Sequence, residues 1–296
     1  MRRLGFLAMT AVLAACASAA APPPGAQAPA ATPAPSLQDI LDHSPASDWR
    51  PLDPNNTLYM DLASGRVIIE LSNDFSPEHA ANVRALAHAN YWDGAAILRV
   101  QDNYVTQWGR PEESPHDLGG ARADIPAAEY DRPAAGLPFT RLPDPDSYSR
   151  QTGFSNGFWA ARDGAGKTWM PHCYGAIGVG RDNPPNTGNG AELYVVIGQA
   201  PRHLDRNLAM VGRVVQGMEL LSGLRRGTGA LGFYETPAER TQIRSIRLAA
   251  DVPPSERVNL EALRTDSATF RTVIENRRFR RERPLMFTSV TAVCRW

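Results

Sequence analysis

The sequence has no surplus of charge of either sign. Lys plus Arg and Asp plus Glu each number 31 among 296 residues. Without a basic excess there is no electrostatic basis for binding nucleic acid, whose phosphates must be neutralised. A long hydrophobic run is also missing: the body of the chain never reaches the roughly 20 apolar residues that a spanning helix needs. Cysteine is scarce, at three (Cys16, Cys173 and Cys294). His172-Cys173 has no second pair at metal-ligand spacing, so no metal site is expected and Cys173 reads as structural. There is no Gly-x-Ser-x-Gly elbow and no pair of carboxylates in a recognisable context. Gly164-Ala165-Gly166-Lys167-Thr168 looks like the end of a phosphate-binding loop, but the motif's first Gly would fall at Ala161 and no clean apolar strand precedes it, so a plain loop is expected. Neither a metal nor an organic cofactor is called for.

What is present begins at the N-terminus. Arg2 and Arg3 precede a short apolar stretch, Leu4 to Val12, too short to cross a bilayer and typical of a secretory signal. It ends in Leu13-Ala14-Ala15-Cys16, which resembles the bacterial lipobox, with Cys16 as the lipidated residue; cleavage at the nearby Ala17-Ser18-Ala19 is the alternative. The resemblance implies a periplasmic, lipid-anchored protein, and Ala17 rather than Asp after the Cys suggests the outer membrane. Residues 1–16 are thus a lipoprotein signal peptide. Residues 17–35, nearly all Ala, Pro, Gly, Ser, Thr and Gln, form a linker that cannot bury enough apolar area to fold. Cys173 and Cys294 then remain in an oxidising compartment, either bridged or as two separately buried thiols.

A short helical patch is expected at Leu37, Ile40 and Leu41, and the folded body over 54–250. Leu58, Met60 and Leu62 alternate with polar or aromatic neighbours, and Val67, Ile69 and Leu71 resume the period of two after Ser64-Gly65, predicting a hairpin with one face buried. Ser76-Pro77-Glu78 starts a helix, with Ser as its N-cap. Further strands are expected at Ala96 to Val100, Tyr104 to Gln107, Ala176 to Val179, Leu193 to Ile197, Met210 to Val215 and around Ile243 to Leu248. A short helix follows Gly217. The pattern is mostly β and suits a closed antiparallel barrel capped by two helices. Residues 110–172, rich in Pro, Gly and Asp, read as one long connection. Residues 251–296 read as a helical extension, about Asn259 to Arg281, and an irregular tail. Its basic run (Arg277, Arg278, Arg280, Arg281 and Arg283) is a solvated helix face or a site for an anionic partner.

Four segments, in order, carry a resemblance. Gly65-Arg66-Val67-Ile68-Ile69-Glu70-Leu71 leads to Asn82-Val83-Arg84-Ala85-Leu86. Ile97-Leu98-Arg99-Val100 is followed by Tyr104-Val105-Thr106-Gln107-Trp108-Gly109. Asn186 to Val195 and Leu204 to Val214 complete the set. Over roughly residues 57–250 the chain resembles the cyclophilins. That implies a cyclophilin-like barrel and peptidyl-prolyl cis-trans isomerase activity on proline-containing segments of exported proteins. By resemblance, Arg99 and Gln107 are the catalytic pair, and Tyr104, Val105, Glu192, Tyr194, His203 and Leu204 bind substrate.

The chemistry suits those residues. A prolyl bond turns slowly because its C–N bond is partly double, with a barrier of about 18–20 kcal/mol. A guanidinium aimed at the prolyl nitrogen or carbonyl favours the twisted state, and no nucleophile, metal or proton transfer is needed. The chain departs from the family in several places. Tyr replaces Phe at 104 and 194, and Val105 replaces Met. Glu192 replaces a Gln and is an acceptor expected to pair with Arg99. Leu208 replaces a His, His203 a Trp, and Arg181 stands near a usual Asn. Two other readings therefore stay open: a catalytically weak binding or chaperone module on the same barrel, and an assembly protein acting through residues 110–172 or the basic helix.

Overall fold

The computed structural model describes residues 35–113, 117–279 and Cys294. A first helix, α1 (Leu37–Asp42), is closed by a reciprocal capping box between Ser36 and Asp39. After β1 (Trp49–Pro51), the expected hairpin is β2 (Thr57–Leu62) with β3 (Gly65–Leu71). Then come α2 (Pro77–His88), β4 (Ala96–Val100) and β5 (Val105–Gly109). Five short strands follow: β6 (Arg132–Pro133), β7 (Thr140–Arg141), β8 (Gln151–Ser155), β9 (Phe158–Arg162) and β10 (Lys167–Trp169). The chain returns through β11 (Ala176–Val179), β12 (Leu193–Val196), β13 (Met210–Gln216), α3 (Met218–Ser222) and β14 (Ile243–Leu248), and ends in β15 (Glu261–Leu263) and α4 (Ala268–Phe279).

Eight strands form one antiparallel sheet in the order β14-β2-β3-β13-β11-β12-β5-β4. Its two edges meet where Ile97 N donates to Thr241 O (2.9 Å) and Ile243 N to Ala95 O (2.8 Å), so the barrel is nearly closed. The inward residues of the hairpin are those the alternation marks, Leu58, Met60, Leu62, Val67 and Ile69; with Leu193 and Val195 they pack against Val83, Leu86 and Ala87 of α2. The outer face of the first hairpin is buried as well, against expectation. Tyr59 and Ile68 pack under Leu52, Val252 and Leu260, because the chain after β14 folds back across them.

The sequence reading is corrected at three more points. Ser76 occupies the N-cap position of α2, but its hydroxyl donates to Glu129 O; the Glu129 carboxylate takes the exposed N–H groups of Glu78 and His79, each at 3.1 Å. The supposed long connection contains a second antiparallel sheet, ordered β6-β10-β9-β8-β7, whose Leu142, Phe154, Phe158 and Met170 join Phe270 and Ile274 of α4 in a second apolar core. The C-terminal helix begins at Ala268, not near Asn259; Glu261–Leu263 pairs with Trp49–Pro51 instead. Within the basic run, Arg278 pairs with Asp144 (3.0 Å) and Glu275 (3.2 Å), while Arg280, Arg281 and Arg283 lie outside the described residues. Residues 163–167 form the turn joining β9 to β10, with Ala165 N and Lys167 N donating to Asp163. Cys173 and Cys294 are bridged, their Cα atoms 4.7 Å apart.

Candidate active site

The outward faces of β5 and β12, next to the bulged strand β4, carry the site. Pairing of β4 with β5 shifts by one residue between Ile97 and Arg99. A bulge of this kind re-aims the side chain that follows it, and here it sets Arg99 directly opposite Gln107. Arg99 is held at three of its donors. Nε donates to Leu231 O (2.7 Å), one Nη to Gln107 Oε1 (3.3 Å) and the other to Gln101 Oε1. Each Nη keeps one N–H with no acceptor among the described residues, and no described carboxylate pairs with the guanidinium. Burial pulls its pKa below the usual arginine value, partly offset by Tyr104; it stays a cation at any working pH.

Glu192 does not reach Arg99 directly. Gln107 lies between them, donating from Nε2 to Glu192 Oε2 at 2.7 Å while its oxygen accepts from Arg99. The Glu192 carboxyl is pushed up by burial, with Asp182 and Glu112 adding to the effect and the Gln107 bond opposing it.

The floor is formed by Val105 and Tyr194, both buried. Tyr194 packs so closely on Gly178 that a Cβ there would fall 2.2 Å from the ring. Its hydroxyl, the group that distinguishes it from Phe, bonds His172 Nε2 at 2.8 Å. His172 in turn sits 3.1 Å from Asp205 through Nδ1, and its backbone N–H donates to the same oxygen at 2.8 Å. Asp205 also accepts from Arg202 Nε at 2.9 Å. His172 is fully buried, and burial drives its pKa below the ordinary value, with Asp205 opposing. Above pH 6.5 it is therefore neutral, a donor at Nδ1 and an acceptor at Nε2, which makes Tyr194 the donor in their bond.

These residues open onto a cavity of about 610 Å³ whose lining includes Arg99, Tyr104, Val105, Gln107, Glu192, Tyr194, Leu204 and Leu208. His203 is not part of the lining. It stacks behind Tyr104, ring centroids 5.8 Å apart, with its Nε2 3.4 Å from the Tyr104 hydroxyl. The loop over Asn186 to Ala191 is pinned from α2 and from the turn after it: Asn82 Nδ2 donates to Asn189 O at 2.7 Å, and Trp92 Nε1 donates to Ala191 O at 3.1 Å. Asn82 is thus the structural partner of a loop a hundred residues away, a role its motif position did not reveal. The sequence reading also missed Phe233, which lines the cavity and lies over Arg99, and it weighed His172 only as a metal ligand. Among the described residues no cluster of His, Cys, Asp and Glu could hold a metal ion. Cys16 lies outside the described residues.

Residues 57–248 match the family model described as cyclophilin type peptidyl-prolyl cis-trans isomerase/CLD. Relatives named probable peptidyl-prolyl cis-trans isomerase from Brucella suis and Brucella abortus are 25% identical over 179 residues, 60% of this chain and 76% of theirs. Among solved structures, the cyclophilin AquaCyp293 from Hirschia baltica superposes with a TM-score of 0.63 at 23% identity, over 82% of this chain and 92% of that one. That likeness concerns the fold.

Proposed function

The chain belongs to the cyclophilin-type peptidyl-prolyl cis-trans isomerases, and on that premise we propose that it turns X-Pro bonds in exported proteins of the cell envelope, from a lipid anchor at Cys16 in the outer membrane. Arg99 and Gln107 are the catalytic pair in this reading, with Val105, Tyr194 and Leu204 as the proline socket and Tyr104 and Glu192 at its rim. His203 acts by holding Tyr104.

One observation carries the reading: a guanidinium fixed at three donors, with two N–H groups that no described residue accepts, lines an apolar-floored cavity. Twisting the prolyl bond breaks its resonance and leaves a more basic nitrogen. A fixed cation beside that nitrogen, or on the prolyl carbonyl, stabilises the twisted state more than the planar one. A charge-assisted hydrogen bond contributes about 1.5–3 kcal/mol, which is roughly tenfold to a hundredfold in rate. Exclusion of water by the socket supplies the remainder. A protease-coupled assay on Xaa-Pro tetrapeptides tests the activity: cis-to-trans conversion should accelerate in proportion to enzyme concentration, and a rate equal to the uncatalysed one contradicts it.

The anchor and the compartment rest on the signal, the Leu13-Ala14-Ala15-Cys16 sequence and the Pro/Ala linker. The Cys173–Cys294 bridge supports export, because such bonds persist in oxidising compartments. Cys16→Ser should move the protein from the membrane fraction into the soluble periplasm. An unmodified N-terminus beyond Cys16, seen by intact mass spectrometry, contradicts lipidation.

A second reading, binding with slow turnover, is favoured by the state of Gln107. Its amide oxygen and its NH2 each already hold one partner, so a substrate backbone can use only the remaining lone pair and the remaining N–H. A peptide that binds firmly but turns over slowly in the same assay would favour this reading.

A further inference from the structure

Leu231 and Phe233 lie outside every segment that carries the family resemblance, yet both are large apolar residues left in contact with water, 67% and 40% exposed. Single exposed apolar side chains are ordinary on protein surfaces. The Phe233 ring stands beside the Arg99 guanidinium, two residues on from Leu231. The loop between α3 and β14 runs along the free side of β4: Phe233 and Arg99 form an isolated antiparallel bridge, Tyr234 N donates to Leu98 O and Gly227 N to Val100 O, both at 3.0 Å. Gly232, at φ 81°, permits the approach, since a Cβ there would fall 2.8 Å from Gln101 Cα. Leu231 gives its carbonyl to Arg99 Nε. The Phe233 ring centroid lies 5.3 Å from Arg99 Cζ and the Tyr104 centroid 5.4 Å. Phe233 also lines the cavity.

We propose that Phe233 forms an apolar subsite for the side chain of the residue that follows the substrate's proline. The inference rests on Arg99 acting at the prolyl carbonyl. An acceptor oxygen lies about 2.9 Å from its donor, and the carbonyl carbon that bears it is bonded to the next residue's nitrogen. That residue's side chain therefore starts within about 5–6 Å of the guanidinium, the distance at which the Phe233 ring sits. An aliphatic or aromatic side chain there would cover ring surface that is now wet, while Gly would leave it so. The ring thereby sorts substrates by a residue that is not part of the bond being turned.

The test is an NMR titration of the full chain with Ala-Ala-Pro-Xaa-Ala peptides, Xaa being Gly, Leu or Phe, with turnover followed in parallel by exchange spectroscopy. The Leu and Phe peptides should bind about five- to tenfold more tightly than the Gly peptide, in line with the value of a partly enclosed apolar contact. Phe233→Ala should reduce that ratio below about twofold, and Phe233→Leu should keep most of it. A ratio near one in the wild type, no binding of any peptide, or an undiminished ratio in Phe233→Ala overturns the subsite. Binding does not depend on turnover, so ranked binding without exchange would contradict the isomerase activity and leave the subsite standing.

Discussion

The side-chain amide of Gln107 donates to the Glu192 carboxylate over 2.7 Å. An ionised carboxylate can only accept, so the NH2 of Gln107 must face it and the amide oxygen must face Arg99. A residue that departs from the family pattern thus works with Arg99, which can only donate, to set which way the Gln107 amide points. The departure orders the site without pairing with the charge.

This relationship has a pH signature. Burial raises the Glu192 pKa above the usual 4.5, and Asp182 and Glu112 add to the effect. As pH falls through that raised value the carboxyl becomes neutral and its hold on the Gln107 NH2 is no longer charge-assisted, which leaves Arg99 as the stronger of the two groups that orient the amide. The isomerase rate should therefore show an acid-side change beginning above pH 4.5, read by exchange spectroscopy, and Glu192→Gln should remove it. Stability runs the other way. The folded state holds this proton more tightly than the unfolded one, so ionised Glu192 is a cost at neutral pH, and Glu192→Gln should leave the melting temperature at pH 7 unchanged or higher. An identical acid limb in wild type and Glu192→Gln contradicts this role.

The Asp205–His172–Tyr194 chain makes a prediction about stability. Burial holds the His172 pKa below its ordinary 6.5. The unfolded chain therefore takes up this proton first, and stability should fall as pH drops below about 6.5 until the lower folded value is reached. His172→Gln should flatten that slope. Tyr194→Phe leaves a buried ring nitrogen without its donor, at a cost of about 1–3 kcal/mol, or roughly 2–10 °C in thermal unfolding for a domain of this size. An unchanged melting temperature in Tyr194→Phe would show that the bond contributes nothing.

The Cys173–Cys294 bridge joins residues 121 apart in sequence. Closing a loop of that length is worth about 5 kcal/mol in the chain-entropy treatment, and removing a native bridge costs about 2–5 kcal/mol in practice. Thermal unfolding with and without dithiothreitol should differ by several degrees. The Cys173→Ser, Cys294→Ser double variant should melt at the lower temperature in both conditions. Quantitative labelling of two thiols in unreduced, denatured protein would contradict the bridge.

What the sequence made legible is local. The Arg99 strand and the Gln107 strand are neighbours joined by a short turn, so alternation and family pattern together placed both. The first hairpin announces itself because its inward residues follow a period of two, and β11 and β12 because they are short continuous apolar runs. The rest depends on contacts between distant segments. Phe233 reaches the site only because its loop pairs with β4, and no periodicity marks it. His172 looked like half a metal site; its partners, Asp205 and Tyr194, come from elements 33 and 22 residues away. The second sheet escaped because two of its five strands are only two residues long. The helix expected from Asn259 failed over its first nine residues because the backbone there is recruited by Trp49–Pro51. A local propensity lost to a pairing partner about 210 residues earlier.

The most direct test of the account is kcat/KM for X-Pro isomerisation in Arg99→Ala. At least a tenfold loss is predicted, since about 1.5–3 kcal/mol of transition-state stabilisation leaves with the guanidinium, with an unchanged far-UV circular dichroism spectrum. Activity within twofold of the wild type in a folded Arg99→Ala variant would contradict the account.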